Sequence, residues 1–209
     1  MDESHAGSTG EYAGSRAVDD EQRTRQQLNA IAQGDRVAFE RFYLAHYSQL
    51  ARFLARQTAR RDLLDEIIND TFWIVWRKAG EFRGSSKVST WVIGIAYRCL
   101  LKSLRSQKSV AHESISEDIA NDDIGTSISD EEQRELGDWV KRGVALLPAD
   151  QRTTIELAYY LGQSCEEIAT IMECAVGTVK ARMFHARLRL RNTLPALGGD
   201  LAASNAQQR

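Results

Sequence analysis

Hydrophobic residues repeat at steps of three and four along most of this chain, which is the spacing that places them on one face of an α-helix. The first repeating segment runs from about Gln27 to Arg60 and predicts one long helix. We interpret His46, which lies on its apolar stripe, as a packed side chain with one hydrogen-bond partner, because no second metal ligand lies at helical spacing from it. The stripe consists of Phe39, Phe42, Tyr43, His46, Tyr47, Leu50, Phe53 and Leu54.

Two more helices follow in the first half of the chain. One begins after Arg61 and Asp62, and its first turns carry acidic side chains that suit the helix dipole. The other begins after the loop at residues 82–86 and keeps helical apolar spacing as far as Leu104. These segments predict one helical domain over residues 27–108.

The apolar repeat stops over residues 109–131, where Glu, Asp, Ser and Asn dominate. A stretch of this length is longer than the connections within a compact domain, so it predicts a flexible acidic linker. Two functions remain open for it: a solubilising tether, or a segment whose charge mimics nucleic acid inside a basic channel.

A second helical domain is predicted over residues 132–195. Its first helix is stopped at Pro148, which opens the next helix. Gly162 is the predicted cap at the end of that helix. With no strand pattern in either domain, the predicted fold class is all-α, as two small helical domains joined by the linker.

The last two helices of the second domain form a predicted helix-turn-helix. Ser164 and Glu167 have the spacing of a capping box at the start of the shorter helix. A turn at residues 173–175 then leads into the final helix, over residues 176–194. A turn this short between two helices is typical of the helix-turn-helix.

Composition and charge change this picture in one respect. The 209 residues carry 27 basic and 29 acidic side chains, a net charge of −2, which taken alone argues against a nucleic-acid ligand. The charges are unevenly placed, however, because residues 34–110 carry 14 basic and 7 acidic side chains, whereas residues 111–135 carry 1 and 9. The basic block favours a nucleic-acid groove on the first domain, although a solvated basic helix face is the alternative.

The chain's ends and its cysteines limit the possible classes. Residues 1–26 are polar, acidic and rich in Gly and Ser, which predicts a disordered lead-in, and residues 196–209 are also predicted to be disordered. The lead-in lacks the features of a secretory signal, and no apolar run approaches the ~20 residues of a membrane span. A cytoplasmic protein without membrane insertion is therefore expected. Cys99, Cys165 and Cys174 form no CxxC pair and are interpreted as structural thiols, and neither a metal site nor a cofactor is expected.

The final helix carries basic side chains and no acid between residues 176 and 194. In a helix-turn-helix this helix lies in the major groove, where Arg and Lys bond guanine edges while hydroxyls and backbone amides hold phosphates. We therefore predict base or near-base contacts for Lys180, Arg182 and His185, and phosphate contacts for Thr178 and Arg187. The alternative is a helical hairpin with a basic solvent face.

Both domains resemble the extracytoplasmic-function (ECF) sigma factors of the sigma-70 family. The segments LPADQR at 147–152, SCEEIA at 164–169 and VGTVKAR at 176–182 resemble sigma region 4. In the first domain, DEIINDTF at 65–72, followed by Trp76, resembles region 2.2, and the segments around residues 82–84 and 91–96 resemble regions 2.3 and 2.4. The two domains occur in the family's order, and the resemblance covers about residues 27–194.

The resemblance implies a dissociable specificity subunit of bacterial RNA polymerase, an alternative sigma factor that recognises the −35 and −10 promoter elements and promotes melting and transcription initiation. Its implied partners are core RNA polymerase, promoter DNA and an anti-sigma protein. Core polymerase would be bound by Asp65, Glu66, Ile68, Asn69, Asp70 and Phe72. The −10 element would be bound by Arg83, Ser85, Ser86, Lys87, Trp91, Arg98, Lys102 and Arg105. The −35 element would be bound by Thr178, Lys180, Ala181, Arg182, Phe184, His185 and Arg187.

Two other classes of protein compete with the sigma factor as interpretations of the sequence. A stand-alone helix-turn-helix regulator would explain the final helix but would leave the region between Asp65 and Trp91 unexplained. For the acidic positions Asp65 and Glu66, simple stabilisation of a helix start is the alternative to a docking surface. An enzyme has no support, because no glycine-rich phosphate loop, metal-ligand cluster or nucleophile paired with a base occurs in the sequence.

Overall fold

The computed structural model describes residues 9–58, 60–110 and 131–206. The chain divides into two compact units, Met1–Ile119 and Ala120–Arg209. Eight α-helices and one short 3₁₀ turn make up the regular structure of the described residues, which confirms the all-α prediction. The predicted linker lies almost entirely outside the described residues, which end at Val110 on one side and resume at Glu131 on the other.

Four helices build the first unit. They are α1 (Thr9–Ala32), α2 (Arg36–Gln57), α3 (Arg61–Lys78) and α4 (Val88–Val110), and a 3₁₀ turn at Ala79–Glu81 follows α3. The helices predicted after Asp62 and after the loop at residues 82–86 are thus confirmed. Each helix contributes an apolar stripe to one core. The largest buried side chains of that core are Leu28, Ile31, Phe42, Leu50, Leu54, Ile67, Ile68, Phe72, Ile93 and Leu100.

The predicted single helix over Gln27–Arg60 is wrong, because the chain turns between α1 and α2. Gly34 adopts φ +87°, a left-handed conformation that glycine reaches without a Cβ clash. Asp35 then caps α2, since its Oδ1 accepts hydrogen bonds from the amides of Val37 at 2.9 Å and Ala38 at 3.0 Å. The apolar repeat does not reveal this break, because side chains on both sides of it face the same core.

Helix α1 also occupies residues that were predicted to be disordered. Residues 1–8 lie outside the described residues, but the chain is helical from Thr9, so the predicted lead-in over residues 1–26 is wrong from that position onward. Leu28 and Ile31 anchor the end of α1 in the core. From Val18 onward, the buried apolar side chains of α1 are Leu28 and Ile31, which lie near its C-terminal end, so the average polarity of the segment misses the helix.

The second unit consists of α5 (Glu131–Ala145), α6 (Ala149–Tyr159), α7 (Cys165–Met172) and α8 (Val176–Ala206). As predicted, Pro148 separates the first two, and it is the residue that caps α6. Gly162 is not itself the cap of α6, a position that Tyr160 takes, but it turns the chain two residues later with φ +61°. The buried core of this unit includes Leu157, Ile168, Ile171, Val179 and Ala186.

Helices α7 and α8 form the predicted helix-turn-helix. Ser164 Oγ accepts from the Glu167 amide at 3.2 Å, and Glu167 Oε2 accepts from the Ser164 amide at 2.8 Å, so both bonds of the predicted capping box are present. Ile168, Ala169, Ile171 and Val179 are buried between these helices and the rest of the unit, whereas Val176 is half-buried.

The predicted disordered tail over residues 196–209 is wrong as far as Ala206, because α8 continues through Pro195. Alanine and leucine, both strong helix formers, are frequent in this segment. Trp139 ties α5 to the same part of α8, since its Nε1 donates a hydrogen bond to the carbonyl oxygen of Leu194 at 2.8 Å. Residues 207–209 lie outside the described residues.

His46 is packed as predicted. Its ring stacks on Phe42 with centroids 4.1 Å apart, and its Nδ1 donates to the carbonyl oxygen of Phe42 at 2.9 Å. Burial lowers the pKa of His46 below its ordinary value, although the hydrogen bond to Phe42 and the charge of Glu21 act in the opposite direction. The imidazole is therefore neutral in the folded chain at neutral pH.

The lowered pKa of His46 predicts a pH-dependent stability. Below about pH 6.5 the unfolded chain binds a proton at His46 that the folded chain does not, so the free energy of unfolding rises with pH from the folded pKa up to about 6.5. Thermal unfolding between about pH 5 and pH 7 should therefore show a steeper loss of stability on acidification for the wild type than for His46→Gln. Equal slopes for the two proteins would contradict the assignment.

The turn of the helix-turn-helix stores backbone strain at Glu173. This residue caps α7 in the left-handed conformation, with φ 51° and ψ 49°, which costs roughly 1–2 kcal/mol for a residue with a Cβ. We expect Glu173→Gly to be more stable than Glu173→Ala by about 1 kcal/mol, because both variants lose the side chain and only glycine relieves the strain. Hydrogen exchange of peptides from α7 and α8 in the full chain measures the difference, and equal protection would refute the strain.

Candidate functional site

An open groove lies between α2 and α3 in the first unit, with a volume of about 460 Å³. Aromatic rings form most of its lining. Phe39 packs edge-on against Trp76 with 5.2 Å between ring centroids, and the ring centroids of Tyr43 and Phe72 are 4.4 Å apart. Burial raises the pKa of Tyr43, with smaller contributions from Tyr47 and Asp65. The groove is lined by Arg36, Phe39, Tyr43, Asn69, Phe72, Trp73 and Trp76.

The residues predicted to bind core polymerase lie along α3 beside this groove, but they are not all accessible. Asp65, Glu66, Asn69 and Asp70 are exposed. Ile68 and Phe72, by contrast, are only 1% and 2% exposed. Both side chains therefore belong to the core, where they position the exposed polar residues. The prediction that Ile68 contacts a partner is not supported by its place in the structure.

Sequence reasoning missed Trp73, which is 60% exposed at the edge of the groove. The signal was present, because Trp73 falls out of phase with the buried positions of α3, Ile67, Phe72 and Val75. Together with the aromatic rings that line the groove, this exposed side chain forms an apolar patch on the surface of the unit.

The second predicted surface consists of the loop at residues 82–87, called the reading loop below, and the outer face of α4. Arg83, Ser85 and Lys87 are exposed, whereas the alternate residues Phe82, Gly84 and Ser86 are half-buried. Phe82 packs against Trp91, with 5.4 Å between ring centroids. Arg98, Lys102 and Arg105 are exposed along α4, as predicted for a basic groove face.

Two residues of α1 hold the reading loop, and sequence reasoning missed both. Arg25 donates from Nη2 to the carbonyl oxygen of Ser86 at 3.2 Å, and the carboxylate of Glu21 accepts from the amide of Val88 at 3.1 Å. Their separation from the loop by more than sixty residues leaves no local sequence signal of the contact.

The third surface is the outer face of α8. Burial of Val179, Met183 and Ala186 turns the opposite side of the helix to solvent. Six of the seven residues predicted to contact the −35 element are exposed there: Thr178, Lys180, Ala181, Phe184, His185 and Arg187.

Arg182 is the exception. Its Nη2 lies 2.5 Å from Oδ2 of Asp150 at the start of α6, and its Nη1 lies 3.7 Å from Sγ of Cys174. The guanidinium therefore links α8 to α6 and to the turn, and its side chain is only 24% exposed. This arrangement points to a role in holding the helix-turn-helix together rather than the base contact that was predicted.

A helix-turn-helix whose second helix is basic defines the second unit as a DNA-binding module. This unit matches the family model of sigma-70, region 4 over residues 138–190, and the first unit matches that of sigma-70 region 2 over residues 42–110. The ECF RNA polymerase sigma-E factor of Haemophilus influenzae is 33% identical over 187 residues, which cover 85% of this chain and 98% of that protein. The ECF RNA polymerase sigma factor SigM of Mycobacterium tuberculosis is 33% identical over 175 residues, 83% and 86% of the two chains.

The chain belongs to the ECF sigma factors of the sigma-70 family. It is an alternative sigma factor that acts in transcription initiation, and the prediction that it is not an enzyme is confirmed by this membership. The match to region 2 also decides against a stand-alone helix-turn-helix regulator.

Solved structures agree with this assignment. The sigma factor RpoE of Bartonella quintana, in complex with the anti-sigma factor NepR, has a TM-score of 0.59 and 28% identity, covering 75% of this chain and 96% of that one. CnrH, in complex with the cytosolic domain of CnrY, has a TM-score of 0.60 at 21% identity, covering 82% and 97%, and supports the fold alone.

Within the described ranges, no helix has the length and apolarity needed to cross a membrane. Among the same residues, no group of three His, Cys, Asp or Glu side chains is placed to hold a metal ion.

The different positions of Lys180 and Arg182 predict different effects of removing them. Lys180→Met should weaken binding to duplex −35 DNA by about 1–3 kcal/mol without changing stability, because Lys180 is exposed.

Arg182→Met should lower stability, and Asp150→Asn should reproduce the loss of the ion pair. That loss is below about 1 kcal/mol, because Asp150 is 58% exposed and solvent screens the pair. The measurements are thermal unfolding and DNA titration of the full-length variants. If Arg182→Met weakened DNA binding as much as Lys180→Met while its stability stayed unchanged, the result would support the predicted base contact of Arg182 and contradict its structural role.

Proposed function

We propose that this sigma factor docks on core RNA polymerase through the groove between α2 and α3 and the acidic edge of α3. The observation that carries this proposal is the exposed indole of Trp73 beside the exposed carboxylates of Asp65, Glu66 and Asp70. A large aromatic side chain with a charged rim is typical of protein-binding surfaces. The surface therefore suits a partner that offers an apolar ridge flanked by basic side chains.

We propose that the reading loop captures a base of the −10 element once the promoter opens. Its exposed hydroxyl and basic groups, on Ser85, Arg83 and Lys87, can bond the edges of an unpaired base and the neighbouring phosphates. The basic face of α4, with Arg98, Lys102 and Arg105, then lies next along the chain to hold the backbone of the opened strand. Binding of unpaired bases favours the melted state over the duplex, which is how this unit would promote melting.

We propose that α8 reads the −35 element in the major groove of the duplex. Thr178 and Lys180 lie in its first two turns, the part of a recognition helix that reaches base edges. Phe184 and His185 follow on the same exposed side, with 5.4 Å between their ring centroids. An apolar ring on this face can contact thymine methyl groups, whereas Arg187 is placed further along the helix for a phosphate.

We further propose that an anti-sigma protein controls this chain by covering these surfaces. We also propose that this sigma factor acts in the cytoplasm, where RNA polymerase and promoter DNA are found. RpoE of Bartonella quintana, 28% identical to this chain, has been solved with such a protein. The exposed Trp73 and the groove beside it offer an apolar anchor that an inhibitor and core polymerase would compete for.

The docking surface is tested by reversing its charge. Asp65→Lys with Glu66→Lys should abolish binding to core polymerase and start-specific transcription, because both carboxylates are exposed at the proposed interface. Stability should change little, since exposed charges contribute little to it. The measurements are affinity for core polymerase, transcription on promoter fragments selected from genomic DNA, and thermal unfolding.

A matched control carries the same charge change elsewhere on the first unit. Asp19→Lys with Asp20→Lys alters two exposed acids of α1 and should leave the affinity for core unchanged. If both double variants bind core as the wild type does, the acidic edge of α3 only stabilises a helix start.

A further inference from the structure

Contacts from α1 hold the reading loop. Three hydrogen bonds and one cation–π contact from Glu21 and Arg25 reach the loop or the first residue of α4, and the hydrogen bonds join residues 61 to 67 positions apart. Within the loop, the side-chain hydroxyl of Ser86 donates to the neighbouring carbonyl of Lys87 at 3.2 Å.

Glu21 supplies a cap that α4 lacks in its own sequence. The residue before α4 is Lys87, whose side chain has donors and no acceptor, so this side chain cannot accept a hydrogen bond from the amides of the first turn. The two carboxylate oxygens of Glu21 lie 3.1 and 3.3 Å from the amide nitrogen of Val88. A carboxylate at a helix N-terminus also interacts favourably with the helix dipole.

Glu21 orients Arg25 at the same time. Its Oε1 accepts from Nε of Arg25 at 2.8 Å, which leaves the outer nitrogens of the guanidinium directed at the loop. Nη2 donates to the carbonyl oxygen of Ser86 at 3.2 Å, and the guanidinium carbon lies 5.8 Å from the ring centroid of Phe82.

Gly84 completes the fit between the loop and Arg25. Its φ is +72°, and a Cβ at this position would lie 3.2 Å from Nη1 of Arg25. The absence of a side chain thus lets the loop backbone approach the guanidinium closely. Arg25 therefore meets the loop at Phe82, Gly84 and Ser86, which are its half-buried residues.

This pattern decides which side chains the loop presents. With every second residue held against α1, the intervening Arg83, Ser85 and Lys87 face outward. We propose that Glu21 and Arg25 are positioning residues for recognition of the −10 element: they fix the backbone of the reading loop and thereby set its preference among bases without contacting DNA. This inference rests on the proposed function of the loop.

The pair can be removed without removing α1. Leu28 and Ile31 are buried further along the helix and hold it against the core. Loss of the Arg25 contacts is therefore expected to release the loop alone, and an unfixed loop can rearrange around different bases, so it discriminates less between them.

The test measures base preference separately from assembly. Promoter fragments selected from genomic DNA by the wild-type holoenzyme are randomised across the −10 element, with the −35 element kept fixed. Holoenzymes made with Arg25→Met or Glu21→Gln should show about a ten-fold smaller preference for the selected −10 sequences, the size of one lost base discrimination. Affinity for core polymerase and for a duplex carrying only the −35 element should stay unchanged.

Three further variants keep the result interpretable. Arg23→Met is the matched control, because Arg23 is an exposed arginine of the same helix that pairs with Asp20, and it should behave as the wild type. Gly84→Ala should reproduce Arg25→Met from the loop side, so the proposal is tested even if one α1 variant folds poorly. Arg25→Lys keeps the charge and can donate to Ser86, so it should recover part of the preference that Arg25→Met loses.

The outcomes separate the inference from the function on which it rests. If Arg25→Met, Glu21→Gln and Gly84→Ala all keep the wild-type −10 preference while Arg83→Ala with Ser85→Ala loses it, the loop reads the promoter and α1 does not position it. If the double loop variant also keeps the preference, the proposed function of the loop is itself wrong. A reduced preference in the α1 and Gly84 variants, with Arg23→Met unchanged, supports the positioning role.

Discussion

Every helix in this protein depends on burying one apolar stripe, because a short helix is barely stable in water by itself. Helix α7 has only eight residues, and Ile168 and Ile171 hold it in the core of its unit. Burial fixes the rotation of each helix about its axis, so it also fixes which residues remain outside. The burial of Val179 and Met183 turns Lys180 to solvent, and the burial of Ile67 does the same for Asp65 and Glu66. The faces left exposed for partners follow from how the cores are packed.

The same constraint gives neighbouring residues different roles. Phe72 and Trp73 are adjacent aromatic residues of α3, yet one is buried in the core and the other is largely exposed beside the groove. The buried ring supports the groove from inside, and the exposed ring offers a partner an apolar anchor. Substitution of either residue would alter the proposed docking surface for core polymerase, but only the loss of Phe72 would also open a cavity in the core.

The charged residues likewise divide into those that hold the fold together and those that remain exposed. The excess of basic residues over 34–110 indicated a nucleic-acid surface. Arg25 of α1 precedes that segment, and its guanidinium holds the reading loop. Arg25 is paired with Glu21 next to the reading loop, and Arg182 of α8 is paired with Asp150 of α6. In each unit one acidic residue thus ties an arginine to a neighbouring part of the fold, while Arg83 and Arg187 stay exposed.

The sequence by itself determined the helical class, the caps at Ser164 and Pro148, the helix-turn-helix and the family, because these signals act over a few neighbouring residues. It also located the acidic edge of α3 and the basic face of α8. Only the tertiary structure decided that Ile68 is buried, that Arg182 bonds Asp150, and that α1 is a helix holding the reading loop. Asp150 and Arg182 are 32 residues apart, and Glu21 and Val88 are 67 apart. Contacts at such separations depend on how helices pack against each other, which no local pattern of residues encodes.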